Sequence, residues 1–355
     1  MSNISMQATV SLQQAAKLIV ANPNARFLLE GEPGIGKTSI VGMLQDMTGM
    51  DAAIMSVPDM DLGDVCMPVI HHESKTTRYY PNARFKLQEG KPVIICLDEY
   101  SKGVDPVKNM LHPMLETFRP RLGDIPIPEG SLIFLTGNLA TDGVGDSLKA
   151  HSRQRVIKLT IRKPDAEGWN KWAMNKGTIS PIVMGWVARN PHALASYTDG
   201  DQKGNPFIFN PKAVQDGCVS PRTLEIVSGT IAHRDGYDSE SLHAAMAGAV
   251  GAPAAESITS FIRHHDSLPS WASILASPAT AKIPKDPGAL AVLVFGALEK
   301  VEKDTIAPIM EYLGRVDEEW QCLFAVSLAR HESKNRYAFG APAFAKWVQK
   351  NSDLL

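Results

Sequence analysis

The stretch GEPGIGKTS, residues 31–39, decides the fold. It fits the pattern G-x-x-x-x-G-K-[ST], and its flanks give the pattern meaning. RFLLE (26–30) reads as a short buried strand, and SIVGMLQDM (39–47) reads as a helix. A strand, a glycine-rich loop and a helix in succession form the setting that separates a phosphate-binding loop from a chance match. Gly31, Gly34 and Gly36 allow backbone turns closed to other residues. The freed N–H groups then face inward and cradle phosphate oxygens at a helix N-terminus. Glu32, Pro33 and Ile35 complete the loop, and Ser39 follows it. Lys37 is expected to reach the β- and γ-phosphates of ATP, and Thr38 to offer its hydroxyl to Mg²⁺.

A phosphate loop names no reaction by itself. About sixty residues on, KPVIICLDEYS (91–101) holds an apolar run that ends in Asp98 and Glu99. Such a run suits a strand buried on both faces, and its C-terminal end is where open parallel sheets bind ligands. Asp98 is expected to hold Mg²⁺ through water, and Glu99 to polarise an attacking water as general base. A Glu directly after the metal Asp suits hydrolysis better than transfer to an alcohol, so a kinase ranks low. Taken alone, the Asp-Glu pair reads equally as a helix cap after a core strand. A third apolar run, SLIFLTGN (131–138), ends in Asn138. Asn138 either bonds the γ-phosphate or the lytic water, or sits in an Asn-Leu turn.

These three elements, in this order, resemble the AAA+ ATPases, and more closely the MoxR-type, dynein-related branch. In that family's terms Lys37 and Thr38 look like Walker A, Asp98 and Glu99 like Walker B, and Asn138 like sensor 1. LKAHSRQRVIKLTI (148–161) resembles the segment where the family writes a helix, an Arg and a strand. Arg155 aligns best with the arginine finger. Arg153 is the alternative, because clamp-loader relatives carry theirs in an S-R pair. Val156 stands where the family usually has Phe, which leaves that choice open. Tyr100 replaces an apolar residue and matters little. GCVSPRTLEIVSG (217–229) resembles the signature of the MoxR lid, with Arg222 as sensor 2. WNKWAMNKGTISPIVMGWVARNP (169–191) and FAKWVQKN (344–351) resemble a bacterial and phage MoxR-like subgroup.

The resemblance implies an α/β P-loop NTPase with a parallel-sheet αβα core, a helical lid and a C-terminal helical extension. The expected boundaries are 1–162 for the core, with hairpin insertions near 62–88 and 119–130, then 163–265 for the lid and 266–355 for the extension. It also implies Mg²⁺-dependent ATP hydrolysis, self-assembly into a homo-oligomeric ring, most often a hexamer, and remodelling of a protein partner. Family partners often carry a von Willebrand A-type domain. MoxR relatives have an insertion near 62–88 that faces the ring's pore. Tyr79 and Tyr80 are therefore either substrate contacts or packing residues of their own hairpin.

Composition sets the outer limits. The chain has 355 residues, 44% hydrophobic and 21% charged, with a formal net charge of −2. Length suggests two or three domains with ordinary cores. The charge gives no global bias toward nucleic acid, which weakens the rival reading of a nucleic-acid motor. A slow ATP-dependent switch is the other rival. Cys66, Cys96, Cys218 and Cys322 are scattered without a C-x-x-C pair, so the chain reads as reduced. The adjacent histidines 71–72 and 264–265 lack companions at metal-ligand spacing and read as surface residues. The first residues lack the basic-then-apolar order of a secretion signal. The longest apolar run, GALAVLVFGAL (288–298), is too short to span a membrane and reads as a buried helix. Cytoplasmic location is the expectation. Trp169 and Trp172, three apart, read as a packing pair.

Overall fold

The computed structural model describes residues 8–139, 153–202, 204–212, 215–266, 268–331 and 333–351. The chain divides into two compact units, Met1–Lys163 and Pro164–Leu355.

The first unit runs β1 (Thr9–Val10), α1 (Leu12–Ala21), β2 (Arg26–Glu30), α2 (Ile40–Thr48), β3 (Asp51–Ser56), α3 (Leu62–Val65), β4 (Cys66–His71) and β5 (Thr76–Pro81). It continues through β6 (Val93–Asp98), α4 (Asp105–Leu111), β7 (Arg121–Leu122), β8 (Ile125–Pro126), β9 (Leu132–Gly137) and β10 (Ile157–Ile161). Six strands form one parallel sheet in the order β1-β10-β2-β9-β6-β3. The apolar runs in β2, β6 and β9 follow from this position. Each has neighbours on both edges and cores on both faces, so polar alternation would bury polar groups. Phe27, Leu29, Ile94, Cys96 and Phe134 join Ala15, Ile19, Ile40 and Leu44 of α1 and α2 on one face. Leu28, Ile95, Leu97, Ile133 and Leu135 join Leu111 and Leu115 on the other. The alternation is the period of two that a pleated strand imposes.

Local chemistry fixes the helix starts. Ser11 caps α1 in a capping box with Gln14, through bonds of 3.2 and 2.8 Å. The helix α4 is short, Asp105–Leu111. It ends at Leu111 and continues as a 3₁₀ turn, His112–Leu115. Pro113 has no N–H to extend the α pattern. Val107, Leu111, Met114 and Leu115 are buried, as their spacing predicts.

Two hairpins interrupt the layers. In the first, β4 and β5 pair antiparallel from Cys66↔Pro81 to His71↔Thr76. Met67, Val69, Ile70 and Tyr79 are exposed on it. The second is the short β7–β8 pair. The two hairpins are joined. The Asp124 amide donates to the Tyr79 carbonyl at 2.9 Å, and the Tyr79 amide donates to the Asp124 carboxylate at 2.8 Å. Gly123 permits this. Its φ is +57°, and a Cβ there would stand 2.4 Å from the Tyr79 carbonyl oxygen.

The second unit is helical: α5 (Ala166–Lys176), α6 (Pro181–Arg189), α7 (Pro221–Ala232), α8 (Ser239–Val250), α9 (Ala252–His265), α10 (Trp271–Ala276) and α11 (Pro287–Lys300). Then come α12 (Ile306–Leu313), α13 (Glu318–Ala329), α14 (Asn335–Phe339) and α15 (Pro342–Lys350). The apolar run 288–298 is the buried face-all-round helix α11. Gly185 lets α6 approach it so closely that a Cβ would meet Val292 at 2.3 Å. One hydrophobic core, from Ala166 to Phe344, therefore runs across the 265/266 boundary placed by sequence. Trp169 and Trp172 pack with ring centroids 6.2 Å apart and planes tilted by 45°, and Trp169 lies in that core. All four cysteines are free thiols. Among the described residues, no helix is long and apolar enough to cross a membrane.

Candidate functional site

The strand order brings the three sequence signals together. β9 lies between β2 and β6, and all three are parallel. The register pairs Glu30 with Gly137 and Leu97 with Leu135. Gly31 therefore stands level with Asn138, and Asp98 with Thr136. The loop after β2, Asn138 after β9 and Asp98 of β6 meet at the C-terminal edge of one sheet.

The loop has the backbone its glycines allow. Gly34 and Gly36 have φ of +74° and +91°. Gly31 is needed for space, since a Cβ there would lie 2.5 Å from Ile35 and 3.0 Å from the Ile161 carbonyl oxygen. Ile35 is buried and anchors the loop in the core, while Pro33 is exposed. Lys37–Ser39 forms a 3₁₀ turn before α2 begins at Ile40. The Ser39 hydroxyl donates to the Gly36 carbonyl at 2.7 Å. The Lys37 ammonium donates to the carbonyls of Gly31 and Glu32 at 2.7 and 2.9 Å, and to Asn138 Oδ1 at 3.1 Å. Lys37 and Asn138, 101 residues apart, are thus direct partners.

Opposite the loop, the Thr38 hydroxyl faces both oxygens of Asp98, at 3.2 and 3.1 Å. A hydroxyl and a carboxylate converging this closely are hard oxygen donors. They fit Mg²⁺, which takes one or two protein oxygens and keeps several waters. Thr136 completes the arrangement. Its hydroxyl donates to Asp98 and accepts the backbone N–H of Glu99 at 3.0 Å. One fully buried hydroxyl therefore fixes both acidic residues. Glu99 has φ of +51°, a left-handed conformation uncommon for a residue with a Cβ. The turn that follows is anchored by Tyr100, which is buried, and burial pushes its phenol up to about 12. Gly103 seals it against Val57, where a Cβ would stand 2.5 Å from Cγ1. The turn carries Lys102 back over Glu99, and their side chains pair at 2.8 Å.

The first unit has an α/β P-loop NTPase fold, with the loop, Asp98 and Asn138 brought together at the ends of adjacent parallel strands.

Arg153 and Arg155 do not lie at this edge of the sheet. Arg153 and Arg155 are exposed and precede β10, at the N-terminal edge of the sheet. Arg155 lines a cleft of about 520 Å³ with Asn22, Asn24, Arg26, Thr117 and Gln154. With Ile157 paired to Phe27, Arg155 is about six residues short of Gly31 along the strand direction. At ~3.3 Å per residue that is about 20 Å. The residues before it, 148–152, lie outside the described residues. Arg222 is exposed in the first turn of α7, in the second unit, where Ser220 and Thr223 form a capping box. Tyr79 is exposed on its hairpin, and the Tyr80 hydroxyl pairs with His71 Nε2 at 3.3 Å. Among the described residues, no cluster of three or more His, Cys, Asp or Glu side chains forms a further metal site.

Sequence reasoning missed four polar residues. Thr136 carried a signal, as a lone hydroxyl in an apolar strand. Lys102 and Lys163 carried none, because their importance comes from partners. Arg26 read as a strand residue, yet it is a buried cation. Its guanidinium donates to the carbonyls of Met114 at 3.0 Å, Pro23 and Ala25 at 3.2 Å, and Glu116 at 3.5 Å.

No protein-family model matches the chain, and no curated protein matches it in sequence. Among solved structures, an Hsp104 chain, from a closed-state reconstruction with ATPγS and FITC-casein, is 15% identical. The alignment covers 47% of this chain and 36% of that one, with a TM-score of 0.36. A Cytophaga hutchinsonii chain provisionally assigned as an ATPase is 13% identical over 88% of this chain and 79% of that one, with a TM-score of 0.33. Likeness at this level carries nothing about activity. The fold rests on the strand order and the loop.

Proposed function

We propose that the chain is a Mg²⁺-dependent ATPase of the AAA+ class and of its MoxR branch, acting as a ring. The observation that supports this most is the meeting of Lys37, Thr38, Asp98 and Asn138 at the ends of three adjacent strands. ATP is the substrate. Residues 31–39 hold its phosphates, and Lys37 exchanges the Gly31 and Glu32 carbonyls for phosphate oxygens. Mg²⁺, held by Thr38 and by Asp98 through water, would neutralise charge between the β- and γ-phosphates. Glu99 leaves Lys102 and takes a proton from the attacking water. Asn138 holds the γ-phosphate or that water in line.

Arg155, or Arg153 beside it, supplies positive charge to the γ-phosphoryl group of a neighbouring copy. Its place at the opposite edge of the sheet supports action in trans. A finger in trans requires a neighbour at every site, and a closed ring, a hexamer in this family, supplies one. Arg222 serves as sensor 2, reporting nucleotide state to the lid. The work is remodelling of a protein partner, such as one with a von Willebrand A-type domain, with Tyr79 and Tyr80 as contacts. Cytoplasmic location accords with this reading.

A subunit-mixing assay tests it. Arg155→Ala subunits and Glu99→Gln subunits are each expected to be inactive alone. Mixed, they form interfaces with an intact finger facing an intact base, and ATP turnover returns in part. Absence of rescue at every ratio would remove Arg155 from the trans role. Stimulation of turnover by DNA or RNA, falling steeply with salt, would replace the protein-remodelling assignment with a nucleic-acid motor.

A further inference from the structure

Glu32, the second residue of the phosphate loop, is an odd choice for a segment that meets polyanions. Its carboxylate would repel a phosphate at close range. The structure shows where that charge goes. The side chain is buried, 5% exposed, and lies 3.9 Å from the ammonium of Lys163, which is 3% exposed. Either ion alone would be strongly unfavourable at that depth, so each requires the other.

The pair sits where the loop is held. The carbonyls of Gly31 and Glu32 are the two backbone acceptors for the Lys37 ammonium. Gly31 also abuts the Ile161 carbonyl, with room for no Cβ. Loop residues 31 and 32 thus rest on residues 161 and 163, the segment that leaves β10. Backbone position at 31 and 32 sets where Lys37 stands, and Lys163 holds that backbone from behind through Glu32.

We propose that Lys163 is a positioning residue for the phosphate loop. It neutralises Glu32 and fixes the first two loop residues, so that the loop presents N–H donors and Lys37 to a nucleoside triphosphate without a competing negative charge. The inference rests on the nucleotide reading given above. Lys163 itself touches no substrate.

The test is calorimetric titration of the full chain with Mg·ATPγS, alongside steady-state ATP turnover. The wild type is compared with Lys163→Met, Lys163→Arg and the double variant Glu32→Gln/Lys163→Gln. Lys163→Met removes the ammonium beside the buried Glu32 carboxylate and is expected to weaken binding on the order of tenfold. KM for ATP should rise with it, with kcat at saturation held within about twofold. Lys163→Arg should restore affinity to within about threefold. The double variant removes both charges, so it should fold even where Lys163→Met does not, and should bind better than Lys163→Met. Wild-type affinity in Lys163→Met would overturn this proposal alone. So would a double variant that folds yet binds no better than a folded Lys163→Met, or more than about thirtyfold below wild type where Lys163→Met does not fold. Absence of ATPγS binding by the wild-type chain would overturn the nucleotide reading and this proposal with it.

Discussion

The hydroxyl of Thr38 lies 3.2 and 3.1 Å from the two carboxylate oxygens of Asp98, although 60 residues separate them in the chain. Each is held independently. Thr38 is set by the 3₁₀ turn behind the loop, and Asp98 by the strand end and the Thr136 hydroxyl.

Thr136→Val should therefore act on catalysis more than on binding. The substitution keeps the shape of the side chain but leaves Asp98 with the Thr38 hydroxyl and without that of Thr136, and leaves the Glu99 amide without its hydroxyl acceptor. Losing such partners costs about 1–3 kcal/mol each. The expected result is a fall in kcat of at least tenfold with ATP affinity changed by less than about threefold. Single-turnover kinetics beside equilibrium binding separate the two.

Lys37→Ala should abolish tight Mg·ATP binding, and Glu99→Gln should retain binding while losing turnover by about a hundredfold or more, the scale on which general bases act. Fluorescent-nucleotide titration and phosphate release check each half. Tight binding by Lys37→Ala would remove the loop from its assigned role, and near-normal turnover by Glu99→Gln would remove the base.

Lys102 holds the carboxylate of Glu99 at 2.8 Å, and a carboxylate engaged by an ammonium is less available to a water. Both side chains are part-exposed, so the pair is of modest strength and is screened by salt. Lys102→Met is expected to raise basal kcat about two- to fivefold at low salt, with the difference from wild type shrinking as salt rises. A fall in kcat would mean that Lys102 assists the reaction instead.

Thiol reactivity supplies a pH test of the hairpin packing. Burial first, and the Asp124 carboxylate second, push the Cys66 thiol up to about 11. Both causes disfavour the thiolate, which is the reactive form. Between pH 7 and 9, Cys66 and the fully buried Cys96 should stay unmodified in the folded chain, with the half-buried Cys218 and Cys322 as the reference sites for labelling. Peptide mapping after iodoacetamide reads this out. Rapid labelling of Cys66 at pH 8 would show that the hairpin opens.

The sheet and its ligand edge were legible because their signals are local. RFLLE, VIICLD and LIFLTG are apolar over lengths that only a doubly covered strand explains; VIICLD ends in Asp98, the glycine-rich loop follows RFLLE, and Asn138 follows LIFLTG. The join between Asp124 and Tyr79 was not legible, since neither residue has a local pattern that names the other. The same holds for Glu32 and Lys163, 131 positions apart, and for Arg26, whose acceptors are carbonyls and leave no trace in side-chain chemistry. The close approach of α6 and α11 was not legible for a related reason. Gly185 and Val292 meet through shape, and a small residue facing a large one has no periodicity to read.

With Arg155 acting in trans as proposed, its placement opposite Gly31 along the β2–β10 pair gives each chain two unlike ends, one that needs a charge and one that supplies it. A contact of that kind joins head to tail, so the simplest dimer completes one site and leaves another open. Specific activity, constant on dilution for a self-sufficient subunit, should then fall on dilution, and a finger-bearing fragment added in excess should restore it. An enzyme of this design measures its own abundance.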